Sequence, residues 1–146
     1  MSTPKKPRGY IEKVLFIDVE TSGLALGSID PSRDAVSGTT YQVVSIGLIV
    51  ASAITLQPIE KLYLEIKWNG ESAWSAEAEN VHGLSLQYLE ANGMSEEDAV
   101  VEIATMLLKY WGPSGVVCLA GHNVGTFDKF FFNALMAKHG IQLRFG

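Results

Sequence analysis

The chain has 146 residues, of which 47% are hydrophobic and only 18% are charged, and its formal net charge is −5 at pH 7. This composition predicts one globular domain with a sizeable core and excludes a disordered tail protein. The net charge excludes a uniformly basic nucleic-acid-binding surface, although an enzyme that meets phosphates through metal ions needs a local group of acids. The single cysteine, Cys118, excludes a disulfide within the chain.

The N-terminal residues predict no export signal. Residues 1–12 form a basic lead-in that lacks the apolar segment of a secretory signal peptide. The longest apolar stretch, 43–55, is interrupted by polar residues and is shorter than the roughly 20 residues that span a bilayer. We therefore expect a cytoplasmic protein without a membrane anchor, whose domain covers residues 13–146.

The first half of the chain predicts three strands and a short helix. Residues 14–19 are a continuous apolar run rich in β-branched side chains, which is typical of a central strand. Residues 25–42 hold Gly, Pro, Ser and Asp without periodicity and predict a long loop. Two further strands are predicted at 43–53 and 59–68, and a short helix at 75–83 ends in glycine.

The second half predicts two helices around one strand. Residues 95–112 give the clearest helix, because Ser95 and Asp98 resemble a capping box and apolar residues recur on one face. A buried strand at 116–120 and a helix at 123–138 follow. Strands followed by helices, a strand and a helix predict a mixed α/β sheet with helices packed on it.

Two carboxylates stand inside the first predicted strand, in the segment "LFIDVETSGL". Asp18 and Glu20 are two residues apart, so strand alternation places them on the same face. In a half-buried setting they repel each other, and a divalent cation such as Mg²⁺ or Mn²⁺ removes that conflict. The alternative is that one acid caps a turn and the other faces solvent. This segment by itself favours neither interpretation.

A third acid follows the last predicted strand, in "LAGHNVGTFDKFFFNAL". The strand ends near Gly121, and Asp128 lies at the start of the next helix, where the backbone dipoles favour an anion. Taken alone, Asp128 is more often an ordinary helix-start aspartate, and His122 a hydrogen-bonded structural residue. Together with the two strand acids, it supports the hypothesis of a metal site.

The segments "DVETSGL" and "GHNVGTFD", in this order, resemble the first two motifs of the DEDD, or DnaQ-like, 3′–5′ exonucleases. "YQVVSIGLIV" resembles the second strand of that family, and "VHGLS" its His-Gly loop between helices. The likeness extends over roughly residues 13–140. It implies a ribonuclease H-like mixed sheet, with three antiparallel strands and one parallel strand, flanked by helices.

The resemblance also implies a role for individual residues. Three acids match ligands of a two-metal site for Mg²⁺ or Mn²⁺ that clamps the scissile phosphate: Asp18, Glu20 and Asp128. Thr21 and Leu24 match positions that line the pocket for the terminal nucleotide, and Asn123 matches a position near the penultimate one. Without the resemblance, Thr21 is interpreted as a turn residue and Leu24 as core. His82 is interpreted as structural.

The sequence departs from the family at its third motif, which supplies the fourth acid and a general base as His-x4-Asp or Tyr-x3-Asp. No Asp or Glu follows Asp128, and His139 has Arg144 five residues later. His139 is therefore interpreted as a residue of the helix C-terminus, where the dipole favours it. The favoured explanation is that the C-terminal part of the domain is truncated; a partner that supplies the rest and a non-catalytic protein are the alternatives.

The resulting prediction is a metal-dependent exonuclease that acts on DNA 3′ ends and releases nucleoside 5′-monophosphates, in proofreading or repair. Two alternatives stay open, a 3′–5′ exoribonuclease and a non-catalytic nucleic-acid-binding module of the same fold. The expected partners are single-stranded or 3′-end nucleic acid and a DNA polymerase.

Overall fold

The computed structural model describes residues 12–23, 41–113, 115–121 and 127–146. The predicted long loop lies mostly outside these ranges. The described part contains the following strands and helices in chain order: β1 (Lys13–Thr21), β2 (Val43–Ser52), β3 (Pro58–Glu65), α1 (Ala76–His82), α2 (Leu86–Asn92), α3 (Glu96–Trp111), β4 (Val116–Val117), β5 (Leu119–Ala120), α4 (Lys129–Lys138) and β6 (Arg144–Phe145).

The main sheet has the strand order β3-β2-β1-β5. β2 runs antiparallel to both of its neighbours, β1 and β3, and β5 runs parallel to β1. Three antiparallel strands with one parallel strand, flanked by helices, are the predicted ribonuclease H-like sheet, which is confirmed. Within the described residues, no helix is long and apolar enough to cross a membrane.

One face of the sheet is buried in the core and the other carries the acids. Leu15, Ile17 and Val19 alternate inward along β1 and are at most 5% exposed. They pack with apolar side chains of the two long helices, among them Ile103 of α3 and Phe132 of α4. Because successive side chains of a strand point to opposite faces, Asp18 and Glu20 lie on the side away from this core.

The predicted capping residue of α3 is confirmed. The hydroxyl of Ser95 accepts a hydrogen bond from the Asp98 N–H at 3.1 Å, which satisfies one of the free donors at the helix start. The apolar stripe along this helix is buried at Val100, Ile103 and Leu107. The capping residue therefore predicted the start of α3, and the amphipathic spacing predicted its buried face.

The prediction of one strand at 116–120 is wrong. The segment forms two short strands that belong to different sheets: β4 pairs with β6, and β5 pairs with β1. The carbonyl of Cys118, between them, accepts a hydrogen bond from the Leu15 N–H at 2.8 Å. A continuous apolar run gives no sign of such a change of partner, because both halves are equally hydrophobic.

Two elements were not predicted, α2 and β6. α2 has only seven residues, too few to display a helical period, and its start depends on the hydroxyl of Ser85, which accepts from the Tyr88 N–H at 3.0 Å. β6 has two residues and exists through its pairing with β4. The predicted last helix is observed as α4; residues 123–126 of its predicted start lie outside the described ranges.

A buried carboxylate joins the ends of both long helices. Glu96, at the start of α3, is 6% exposed. It accepts hydrogen bonds from Asn69 Nδ2 at 2.8 Å and Lys138 Nζ at 3.0 Å, and its Oε2 lies 3.1 Å from His139 Nε2. Burial acts to raise the pKa of Glu96, but the hydrogen bonds from His139, Lys138 and Asn69 outweigh it and lower the pKa below its usual value.

From the hydrogen bonds of Glu96 we predict the effect of the substitution Glu96→Gln on stability. We expect the free energy of unfolding at pH 7 to fall by about 2–4 kcal/mol, because the substitution removes the buried charged acceptor that three side chains share. A carboxyl whose pKa is lowered by folding stabilises the fold above its unfolded pKa and loses that contribution as the pH falls through its folded value. The difference between variant and wild type should therefore shrink in acid.

Urea unfolding at several pH values measures this difference. Glu97→Gln, at the neighbouring exposed position, is the matched control and should change stability by less than about 1 kcal/mol, as expected for an exposed charge at a helix start. A loss that is equal for the two variants, or that does not depend on pH, would contradict the assignment.

Candidate active site

Asp18 and Glu20 line one cleft on the open face of the sheet. The cleft has a volume of about 250 Å³ and is lined by Asp18, Glu20, Ser45, Gly47, Tyr63, His82 and Leu84. Asp18 is exposed and Glu20 is half-buried. The structure therefore brings together the two acids that strand alternation predicted to be neighbours.

The cleft disfavours the charged form of Glu20. Burial raises the pKa of Glu20, and the negative charge of Asp18 raises it further. A bound cation would remove both penalties, because it replaces lost water and cancels the repulsion between the carboxylates. The two carboxylates therefore favour the binding of a positive ion in this cleft.

Ser22 connects the end of β1 to the segment that leads into α1. Its hydroxyl donates to the Ala73 carbonyl at 2.7 Å and accepts from the Gln42 N–H at 3.0 Å. Its own carbonyl accepts from the Ser75 N–H at 2.7 Å. These bonds hold α1, and thereby one wall of the cleft, against the strand that carries the acids. Ser22 was not predicted as a site residue, since a serine in a turn carries no signal of such long-range contacts.

Thr21 and Gly23 form the turn after the acids. Thr21 is buried, and its hydroxyl donates to the Gly23 carbonyl, as expected for a turn residue. A Cβ atom at Gly23 would overlap the ring of Tyr41, so only glycine fits there. The role of Thr21 in binding a terminal nucleotide stays a prediction, and Leu24 and Asn123 lie outside the described residues.

His82 lies at the end of α1 and lines the same cleft. Its Nδ1 accepts the Leu84 N–H at 2.9 Å, so the neutral ring carries its proton on Nε2. Nε2 is buried and meets no hydrogen-bond partner within the described part of the chain. Burial lowers the pKa of His82 and so favours the neutral ring. The negative charge of Glu79 and the backbone of Thr21 act in the opposite direction, but burial outweighs them.

The interpretation of His82 as structural is therefore incomplete. The bond to Leu84 does stabilise the turn after α1, but the ring also lines the cleft that holds the acids. The signal available in the sequence was the "VHGLS" segment, whose histidine follows a short helix.

Asp128 lies at the N-terminus of α4, as predicted, and is only 5% exposed. Within the described residues, its side chain forms no capping hydrogen bond to that helix. The parallel pairing of β5 with β1 places the end of β5 beside the first acid, and Gly121 and Asp18 line a common groove. Residues 122–126, which connect this edge to Asp128 and include His122, lie outside the described ranges.

Across the ranges that the structure describes, no group of three or more His, Cys, Asp and Glu side chains could hold a metal ion. Asp18 and Glu20 form a pair, and Asp128 is not among the described residues that line their cleft. A carboxylate pair suits Mg²⁺, which commonly uses one or two carboxylates and completes its shell with water and substrate phosphate. The donor set fits one cation, and Asp128 as a further ligand stays a prediction.

The fold and the cleft define a ribonuclease H-like α/β domain with an acidic site at the open face of its sheet. Neither a protein-family model nor a curated protein matches this chain. Solved structures of E. coli exonuclease I do match it in fold. The complex with a dT13 oligonucleotide has a TM-score of 0.64 and 19% identity, covering 87% of this chain and 24% of that chain.

Two further structures of the same E. coli enzyme agree. The metal-free form of the complex with single-stranded DNA has a TM-score of 0.68 and 18% identity, over 90% of this chain and 25% of that chain. The zinc-bound form has a TM-score of 0.65 and 18% identity, over 87% and 24%. The chain thus spans about a quarter of the length of these exonuclease I chains, and at this identity the likeness establishes the fold.

The close approach of the Tyr41 ring to Gly23 leads to a prediction about the turn after the acids. Gly23→Ala should destabilise the fold by about 1–3 kcal/mol, the usual range for overpacking. Gly47→Ala is the matched control, because a Cβ there meets only the Asp18 carbonyl oxygen, at 3.9 Å.

A double-mutant cycle separates the ring contact from backbone effects. In a Tyr41→Ala background, Gly23→Ala should cost less than in the wild type, since the clashing ring is gone. Urea unfolding measures all four proteins, and strictly additive losses would show that the ring is not the cause.

Proposed function

We propose that this chain is the nuclease domain of a metal-dependent 3′–5′ exonuclease, which removes nucleoside 5′-monophosphates from the 3′ ends of single-stranded DNA. The observation that carries the proposal is the pair Asp18 and Glu20 in one cleft of a ribonuclease H-like sheet, with the pKa of Glu20 raised. Support for a DNA substrate comes from the fold likeness to exonuclease I, which was solved with dT13 and dA16 oligonucleotides.

Each residue of the cleft has a defined part in this proposal. Asp18 and Glu20 would hold a divalent cation, and the resemblance to the DEDD exonucleases adds Asp128. When bound, such a cation activates water and neutralises charge on the scissile phosphate. His82 would line the site with a ring that its lowered pKa keeps neutral, so it adds no charge to the cleft. The buried Ser22 contacts keep α1, which carries His82, against the acid-bearing strand.

The charge of the chain supports a dependence on cations. With a net charge of −5 and two carboxylates in the cleft, the protein repels phosphates unless a cation intervenes. A DNA polymerase partner and a cytoplasmic location, which sequence analysis predicted, stay predictions.

The first test concerns binding of the cation. Mn²⁺ at ten times its Kd should stabilise the fold by about 1.4 kcal/mol, which raises Tm by about 3–6 °C for a domain of this size. Asp18→Asn should remove most of this rise, because it removes one carboxylate of the pair. Glu102→Gln, which removes one charge from the exposed face of α3, is the matched control and should keep the rise.

Differential scanning calorimetry with and without Mn²⁺ measures the rise in Tm for the wild type and for both variants. An equal rise in the wild type and in Asp18→Asn would mean that Mn²⁺ binds nonspecifically, and the cleft would then not be the metal site.

The second test concerns activity on oligonucleotides labelled at the 5′ end. We expect slow, stepwise shortening from the 3′ end that requires Mg²⁺ or Mn²⁺ and disappears in Asp18→Ala and Asp128→Ala. The rate should be low, because this sequence has no match for the general base, which typically contributes about 10²–10⁴-fold. Asp98→Ala, purified in the same way, controls for contaminating nucleases and should retain the activity.

Parallel DNA and RNA substrates separate the alternatives. Faster hydrolysis of RNA would identify an exoribonuclease. Binding of the DNA or the RNA substrate without any hydrolysis would identify a non-catalytic module. Hydrolysis that persists in Asp18→Ala would reject the assignment of the site.

A further inference from the structure

Two exposed tyrosines are joined through one carboxylate beside the cleft. Tyr63 donates a hydrogen bond to Glu65 Oε2 at 3.2 Å, and Tyr88 of α2 donates to Glu65 Oε1 at 2.7 Å. The two residues are 62% and 41% exposed. Their hydroxyls are held, but their ring faces are open.

Tyr63 lies in the same cross-strand row as the first acid. In the sheet register, Tyr63 is opposite Gly47, and Gly47 is opposite Asp18. Neighbouring strands are about 4.8 Å apart, so the backbones of Tyr63 and Asp18 are separated by about 10 Å. Because Gly47 has no side chain, the space between them is a trough, part of a groove of about 680 Å³.

The same strand face also provides a positive charge. Lys61 is exposed, lies two residues before Tyr63 and therefore on the same face of β3, and lines the groove with it. The Glu65 carboxylate accepts from two hydroxyls, so part of its charge is engaged by the tyrosines. An aromatic ring, an open trough and a lysine in line with a metal-binding acid are the groups that bind single-stranded nucleic acid.

We propose that Tyr63 is a substrate-positioning residue on which an unpaired base stacks above Gly47, with the backbone directed between Lys61 and the acidic cleft. Glu65 and Tyr88 hold the ring in place, so little side-chain freedom is lost on binding. The inference rests on the proposed function for its ligand, single-stranded nucleic acid, and adds the residue that positions it. Since every base has a π face, this contact tolerates any sequence but requires an unpaired base.

The test measures binding of a 5′-fluorescent oligothymidylate by anisotropy, with Mn²⁺ and with phosphorothioate linkages at the 3′ end to slow hydrolysis. Tyr63→Ala should weaken binding by about 5- to 150-fold, the range for loss of one base-stacking contact. Tyr63→Phe keeps the ring and should stay within about 3-fold of the wild type, as expected if the hydroxyl only orients the ring.

A second variant fills the trough without altering the tyrosine. Gly47→Val adds a β-branched side chain that suits a strand, and a Cβ there has room, so the fold should be retained while binding weakens at least about 5-fold. Val101→Ala, an exposed apolar residue of α3, is the matched control and should bind as the wild type does. A blunt duplex of the same length should not compete.

The outcomes distinguish this inference from the proposed function. If the wild type binds and Tyr63→Ala and Gly47→Val bind equally well, the stacking role is wrong and the proposed function stands. If Tyr63→Phe loses as much as Tyr63→Ala, the tyrosine acts through its bond to Glu65, and stacking is again wrong. If the wild type does not bind the oligonucleotide with Mn²⁺, both proposals fail.

Discussion

The placement of two like charges on the central strand is the constraint on which the rest of the structure depends. β1 must bury Leu15, Ile17 and Val19 to form the core, and strand alternation then commits Asp18 and Glu20 to the opposite face. A shift of one residue would bury the acids and expose the core, so the register with β2 is strongly specified. The core and the cleft are therefore two sides of the same strand.

The surrounding contacts hold this strand in relation to the helices. On the cleft side, Ser22 joins the end of β1 to the start of α1, which carries His82. On the core side, Glu96 joins α3 to α4 and to the loop at Asn69. Both are polar groups that are buried with their hydrogen bonds satisfied, which makes them effective in fixing geometry and costly to disrupt. The strand that carries the two acids is thus held in place on both of its faces.

Fold and function rest on different observations in this protein. The sheet order and the likeness to exonuclease I establish the ribonuclease H-like architecture. A fold of this kind is compatible with several activities, so the function has to be argued from the site. Burial and then the negative charge of Asp18 raise the pKa of Glu20, in a cleft that also holds His82, whose lowered pKa favours the neutral ring. A cleft with two carboxylates and a neutral histidine favours binding of a cation together with a phosphate over binding of either one alone.

The sequence by itself determined the elements whose signals are local. Apolar runs, alternation and capping predicted β1, β2, β3 and α3, and the two-residue spacing predicted that Asp18 and Glu20 share a face. Only the tertiary structure decided features that depend on distant partners. The run around Cys118 divides between two sheets, Tyr41 leaves room only for glycine at position 23, and Tyr63 comes into line with Asp18 across Gly47. Such contacts join residues far apart in the chain, and no local pattern encodes which of them meet.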